Sequence, residues 1–200
     1  SLPMILERVR TLDIRSADRM LQLIRLSAPA YVTALEELSA RADGHLQATI
    51  FDIVIAVDER RRDEKVAHAL RSDNPRLQAC ALHAVFAYEL EPYRQDALVL
   101  WKALLAACSN SHMATLRLMP FLAQLPVDER RTMTDMYMSV IPALLDDEPA
   151  RRIAVLQQLR AFDGYFSDEI CDRVRTYLGA DDPALRVAAT GLLDKVCRVK

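Results

Sequence analysis

Glycine is nearly missing from this chain, at four residues in 200. Strand-rich folds spend glycine on turns and bulges, so a sheet protein is disfavoured from the outset. Lysine is scarce too. Only Lys65, Lys102, Lys195 and Lys200 occur, which leaves 22 of the 26 basic residues as arginine. Arginine, leucine and alanine, in which the chain is rich, are strong helix formers. Long apolar runs are also lacking. The best of them, Ala48–Val57, is ten residues long and carries Asp52. A helix needs about 20 apolar residues to cross a bilayer, so this run reads as a buried helix and no membrane span is expected in the chain. No signal-peptide pattern opens the sequence. Because the first residue is Ser1, the chain is expected to be an excerpt of a longer protein, so a missing anchor here says nothing about the parent.

A strong charge of either sign is missing as well. The net charge is −2 with a sequence pI near 6.1, which argues against a surface built mainly for nucleic acid or anionic lipid. What is present is core material. The chain is 52% hydrophobic and 27% charged, enough to bury a continuous core and far from the composition of disorder. A single domain over 1–200 is expected. Cys80, Cys108, Cys171 and Cys197 all fall in apolar or amphipathic stretches. Their placement predicts buried, unpaired thiols and a reducing, cytoplasmic location.

The strongest internal signal is repetition. Asp73-Asn74-Pro75, Asp147-Glu148-Pro149 and Asp181-Asp182-Pro183 each set an Asp two residues before a Pro, with Gln78, Arg152 or Arg186 three residues after it and small or apolar residues following. Asp can cap or fix such a turn, and Pro is tolerated at the first helical position because its missing N–H has no partner there. The prolines are 74 and 34 residues apart, and His112 falls midway in the longer gap. Asp43-Gly44-His45-Leu46 opens a similar helix upstream. A second recurrence keeps the same phase: Val57-Asp58-Glu59-Arg60-Arg61 returns letter for letter as Val127-Asp128-Glu129-Arg130-Arg131. The pattern predicts twelve helices, near 3–12, 16–28, 29–41, 44–57, 60–70, 74–90, 93–109, 111–124, 128–145, 149–162, 168–178 and 183–197. They pair into about six hairpins of an all-α solenoid. Pro120 and Pro142 are expected to kink the helices that hold them.

The turn of the form Asp-x-Pro-x-x-Arg followed by Ala resembles the HEAT-repeat family. The likeness is carried by 71–89, 146–162 and 180–197. It departs at Gln78, where Arg is expected, and at His112, where Pro is expected. The resemblance implies a right-handed superhelix in which the second helix of each hairpin lines a concave face. It also implies a ladder between neighbouring repeats, with Asp147 and Arg152, and Asp181 and Arg186, at the ladder positions.

No arrangement of chemistry-bearing residues points to a reaction, a cofactor or a metal. Cys80, His83, Cys108 and His112 look superficially like four zinc ligands. The repeat phase puts the two pairs ~13 Å apart along the helices and ~10 Å across them, too far for one ion. Cys80 and His83 as nucleophile and base lack an orienting carboxylate in sequence. Met133, Met136 and Met138 read as core filler and Trp101 as buried.

The arginines are the most informative surface feature. Arg60, Arg61, Arg62, Arg94, Arg130 and Arg131 fall at the starts of first helices. In a stacked array they would form a basic edge, opposite an edge bearing Asp43, Asp73, Asp146, Asp147, Asp181 and Asp182. Asp58 and Asp128 are expected as N-caps, and with Glu59, Asp63, Glu64 and Glu129 they partly neutralise the basic edge. Polar positions of the second helices, namely Arg76, His83, Arg117, Gln157, Gln158, Thr190 and Asp194, are the candidate concave contacts. The function expected is a non-catalytic protein-interaction scaffold or regulatory module. The alternatives are a nucleic-acid-binding helical repeat and, through the resemblance, a HEAT-like chromophore lyase. Met4, Ile5, Leu6 and Val9, together with Leu192, Leu193, Val196 and Val199, are too apolar for capping repeats. Further repeats, another domain or a homodimer are expected to cover one end.

Overall fold

The computed structural model describes residues 31–42, 44–107, 109–146, 149–160, 162 and 166–196. Among them there is no strand, and ten α-helices follow one another with short connections. They are α1 (Val32–Ser39), α2 (Gly44–Val57), α3 (Arg62–Leu70), α4 (Pro75–Ala87), α5 (Arg94–Ala106), α6 (Ser109–Thr115), α7 (Val127–Leu145), α8 (Pro149–Leu159), α9 (Asp168–Thr176) and α10 (Pro183–Val196). The helices expected near 3–12 and 16–28, and the apolar residues Met4, Ile5, Leu6, Val9 and Val199, lie outside the described residues.

The expected helix at 111–124 is corrected: α6 ends at Thr115 and the chain continues as 3₁₀ turns over Leu116–Gln124. Pro120 sits in that stretch, where it has no N–H to give to an α-helical ladder. Pro142 lies inside α7, which keeps its α assignment through to Leu145.

Helix starts follow the Pro motif, with the capping residue shifted by one. Asn74 Oδ1 accepts from the backbone N–H groups of Arg76 at 3.0 Å and Leu77 at 3.5 Å, with Pro75 following it. Asp182 Oδ1 accepts from Ala184 N at 2.8 Å, just ahead of Pro183. The cap is therefore the residue next to Pro, because only that position lies within reach of the second and third helical amides. Asp58 and Asp128 are not the caps they were expected to be. Asp58 accepts from Arg61 Nε at 2.9 Å and makes no side-chain cap, and Asp128 lies inside the first turn of α7. The repeated pentapeptide thus has two roles. Its first copy leaves α2 and enters a 3₁₀ turn, and its second copy is the first turn of α7.

Helix ends are closed with almost no glycine. The last carbonyls of a helix have no partner within it, and none of the described glycines has positive φ. Donors from the next helix substitute. Arg62 Nε donates to Ile55 O at 2.7 Å, and Arg130 Nη2 donates to Ala123 O at 2.9 Å and Leu125 O at 3.0 Å. His112 Nε2 reaches Leu105 O at 2.9 Å, a contact that requires the hydrogen on Nε2. Ile55, Leu105 and Ala123 each lie seven residues before their donor, and Leu125 five. The exception is α4, where Glu89 takes φ 53° and Leu90 N returns to Val85 O at 2.9 Å.

Packing divides the chain into two units, 1–98 and 99–200. In the first, α1 packs on α2, α2 on α4 and α3 on α4. Helix α4 is buried almost all round, through Leu77, Ala79, Cys80, Ala81, Leu82, Ala84, Val85 and Phe86. A Cβ on Gly44 would come within 3.2 Å of the Asn74 amide, which donates to Gly44 O at 3.2 Å and Gln47 Oε1 at 2.9 Å. In the second unit α7 packs on α8 and α9, while α8 packs on α10 and on the 3₁₀ segment. The ladder expected from the HEAT resemblance is corrected at Arg186. Its guanidinium donates to the carbonyls of Ala180 at 2.6 Å and Asp181 at 3.0 Å within its own turn. The longer-range Asp–Arg link in this unit is Asp146 with Arg173, at 2.5 Å. Leu192 is fully buried inside the unit and is not an apolar end awaiting cover.

Trp101 and Tyr137 anchor the second unit. Both are 0% exposed, their rings meet edge-on at 6.3 Å, and Trp101 Nε1 donates to Tyr137 Oη at 2.9 Å. The Tyr137 hydroxyl in turn donates to Thr115 O at 2.6 Å. Burial is the largest cause raising the Tyr137 hydroxyl above the ordinary tyrosine range, partly offset by its hydrogen bonds. A group that resists ionisation in the fold gives stability below the unfolded tyrosine value of about 10 and loses it as pH rises further. Trp101, the single tryptophan, reports on this directly. Tyr137→Phe leaves the indole N–H without its buried acceptor, so urea unfolding followed by Trp101 fluorescence is expected to show a loss of about 1–3 kcal/mol. Above pH ~10 the parent chain is expected to lose stability more steeply than the variant.

Arg62 supplies a second test. Its side chain is 14% exposed, it closes α2, and its guanidinium lies 3.9 Å from the centre of the Tyr88 ring. Arg62→Ala is expected to cost about 1–3 kcal/mol, combining a charged hydrogen bond with a cation–π contact. Arg60→Ala, at an exposed neighbour, is expected to stay within about 0.5 kcal/mol in the same denaturation measurement.

Candidate functional site

The site best built from described residues is a groove of about 730 Å³ in the first unit. Its floor is apolar. Ile50, Phe51 and Val54 come from α2 and Leu77 from α4, and none is more than 9% exposed. One wall is α3 with the turn before it: Arg61, Glu64, Lys65, His68 and Arg71 recur at the spacing of one helix face. The other wall is α1, through Glu36, Ser39 and Ala40.

Glu36 bridges the walls at one end, paired with Lys65 and, at 3.4 Å, with Arg61. Glu36 is also the largest cause holding Arg61 cationic above its ordinary value, ahead of Asp58. At the other end stand Ser39, Gln47, His68, Arg71 and Ser72. Arg71 is exposed there and makes no ion pair with a described residue. A cleft of this size, with an apolar floor and a few polar groups on its rim, suits one or two anchoring side chains of a ligand.

The thirteen residues expected from sequence divide between the units. In the first, Arg60 and Arg61 are exposed beside the half-buried Arg62, and Arg94 pairs with Glu91 at 2.6 Å with its guanidinium 5.6 Å from the Phe86 ring centre. Arg76 is exposed and His83 half-buried on α4. In the second, Arg130 is turned back on carbonyls while Arg131 is exposed beside it, and Arg117 is half-buried. Gln157, Gln158, Thr190 and Asp194 are exposed on α8 and α10. Of all thirteen, only Arg61 lines the groove.

Two readings of cysteine chemistry change. Cys80 is free and 3% exposed, and its thiol donates to Asp52 Oδ2 at 3.6 Å. Asp52, from α2, thus meets the thiol itself, and the thiol is too closed to meet a substrate. Cys171 is corrected outright. It is disulfide-bonded, not an unpaired thiol. Its partner lies outside the described residues, as do Cys108 and Cys197. Disulfides persist in oxidising compartments, so the cytoplasmic placement loses the support it drew from Cys171. Mass spectrometry after alkylation checks both sites. Cys171 is expected to be blocked until reductant is added, and Cys80 to be blocked only until the chain is unfolded. Cys171 labelled without reductant would contradict the disulfide.

Fold and site together define a class: an all-α protein with an open groove of mixed polarity. No protein-family model matches the chain, and no curated protein or solved structure is significantly similar to it.

Proposed function

We propose that the protein is a non-catalytic interaction module, a right-handed solenoid of HEAT-like hairpins that presents its surface to another protein. The observation that carries this reading is the groove, whose apolar floor is open between two charged walls. A floor of Ile50, Phe51, Val54 and Leu77 accepts side chains, and the rim offers hydrogen bonds that orient them. Packing of like on like supports the solenoid. Helix α2 lies on α4, thirty residues on, and α8 lies on α10 as α7 lies on α9. Such stacking leaves extended surface free because each hairpin contacts only its neighbours.

The test is affinity capture with the whole chain from its native source, followed by titration of what is retained against salt. A protein partner retained in stoichiometric amount is expected. Nucleic acid retained instead, with an affinity that falls steeply as salt rises, would replace this reading with a phosphate-binding one.

A further inference from the structure

We propose that the α1–α3 groove is the docking site for an acidic peptide segment of a partner protein, with an apolar side chain seated on Phe51. This rests on the interaction reading and assigns it a surface and a partner chemistry.

The charges of the walls set the preference. They carry Arg61, Lys65 and Arg71 against Glu36 and Glu64, and Asp58, outside the lining, balances the count through Arg61. The pairing of these charges is uneven. Glu36 takes Lys65 and Arg61 at one end, and Arg61 is drawn further by Asp58 at 2.9 Å. Arg71 makes no ion pair to any described residue, and the exposed His68 and the hydroxyl-bearing Ser39 and Ser72 line the same groove. A guanidinium forks onto a carboxylate with two parallel hydrogen bonds, and the neighbouring hydroxyls complete its shell. A lysine-bearing segment would bring a second cation to Arg71 and find only Glu64 to meet it.

The apolar part follows from the floor. Phe51 is 9% exposed and Leu77 7%, and both line the groove, where a leucine or phenylalanine of the partner would cover them. An anchor flanked by carboxylates satisfies floor and mouth together, and neither half alone uses both.

Fluorescence anisotropy with the whole chain tests this. The probes are a labelled nonapeptide of Leu and Phe interspersed with Glu, and its counterpart with Lys for Glu. The acidic peptide is expected to bind saturably and at least tenfold more tightly than the basic one. Arg71→Gln is expected to remove most of that difference. Ala67→Trp, which adds bulk at a groove-lining position outside the floor, is expected to abolish binding, with helicity and the alkylation protection of Cys80 checked to exclude misfolding of the first unit. Equal binding of the two peptides, no binding of either, or acidic-peptide binding that survives Ala67→Trp overturns the proposal. The interaction reading fails separately. If the Ala67→Trp chain still captures the native partner, the groove is wrong and the module stands. If no protein partner is captured by the parent chain, the module itself is wrong.

Discussion

The constraint on which the rest of this structure depends is the need to satisfy carbonyls at helix ends in a chain with almost no glycine. Each helix leaves its last four carbonyls without internal partners, and the usual remedy is a glycine at positive φ just beyond the end. Here the next helix supplies the donor. Arg62, His112 and Arg130 each reach back seven residues to the end of the preceding element. Arg186 does so over five and six residues, and Tyr177 and Lys195 close α7 and the end of α8 from farther along the chain. Where the donor must be long and spans more than one carbonyl, as at Arg130 and Arg186, arginine serves better than lysine. The excess of arginine is therefore partly a consequence of the missing glycine. Each contact also fixes where one helix begins relative to where the last one ended.

This explains why the first residues of helices mislead when they are read as a surface. Arg60, Arg61 and Arg62 are equivalent in sequence, yet Arg60 is exposed, Arg61 joins the wall of the groove, and Arg62 lies on the Tyr88 ring with its Nε on Ile55 O. Arg130 and Arg131 are both exposed, yet Arg130 also donates to the carbonyls of Ala123 and Leu125. A basic edge counted from the sequence overstates the cations left for a partner. Neutralisation by Asp58 and Glu59, at 2.9 and 3.8 Å from their arginines, reduces it further.

What the sequence made legible is what periodicity and punctuation control. Helices from α2 to α10, α6 excepted, begin and end close to the expected positions, because apolar spacing and Asn74-Pro75 or Asp182-Pro183 act locally. The burial of Trp101 and Met133 was legible for the same reason. Contacts between distant residues were not. Nothing beside Cys80 announces Asp52, which is 28 residues away on the facing side of α2. The disulfide at Cys171 was missed because an amphipathic setting suits a buried thiol and a half-cystine equally well. The groove was half legible. Arg61, Lys65, His68 and Arg71 share one helix face, a signal present in the sequence, whereas the opposing Glu36 carries none.

Why a groove exists at all follows from comparing two helix pairs in the first unit. Helices α2 and α4 meet through small residues, with Ala48, Ala79, Cys80, Ala81 and Ala84 all buried, so their backbones come close enough for Asn74 to reach Gly44 O. Across α1 and α3 the link runs instead through Glu36, Lys65 and Arg61, all long side chains that meet at their tips. An ion pair of that reach works as a spacer, holding two helices apart while the small residues beneath draw the other pair together. Ion pairs this exposed add little stability. Their effect here is geometric: Glu36 ties α1 to α3 and to the turn before it, beside the groove floored by Ile50, Phe51, Val54 and Leu77.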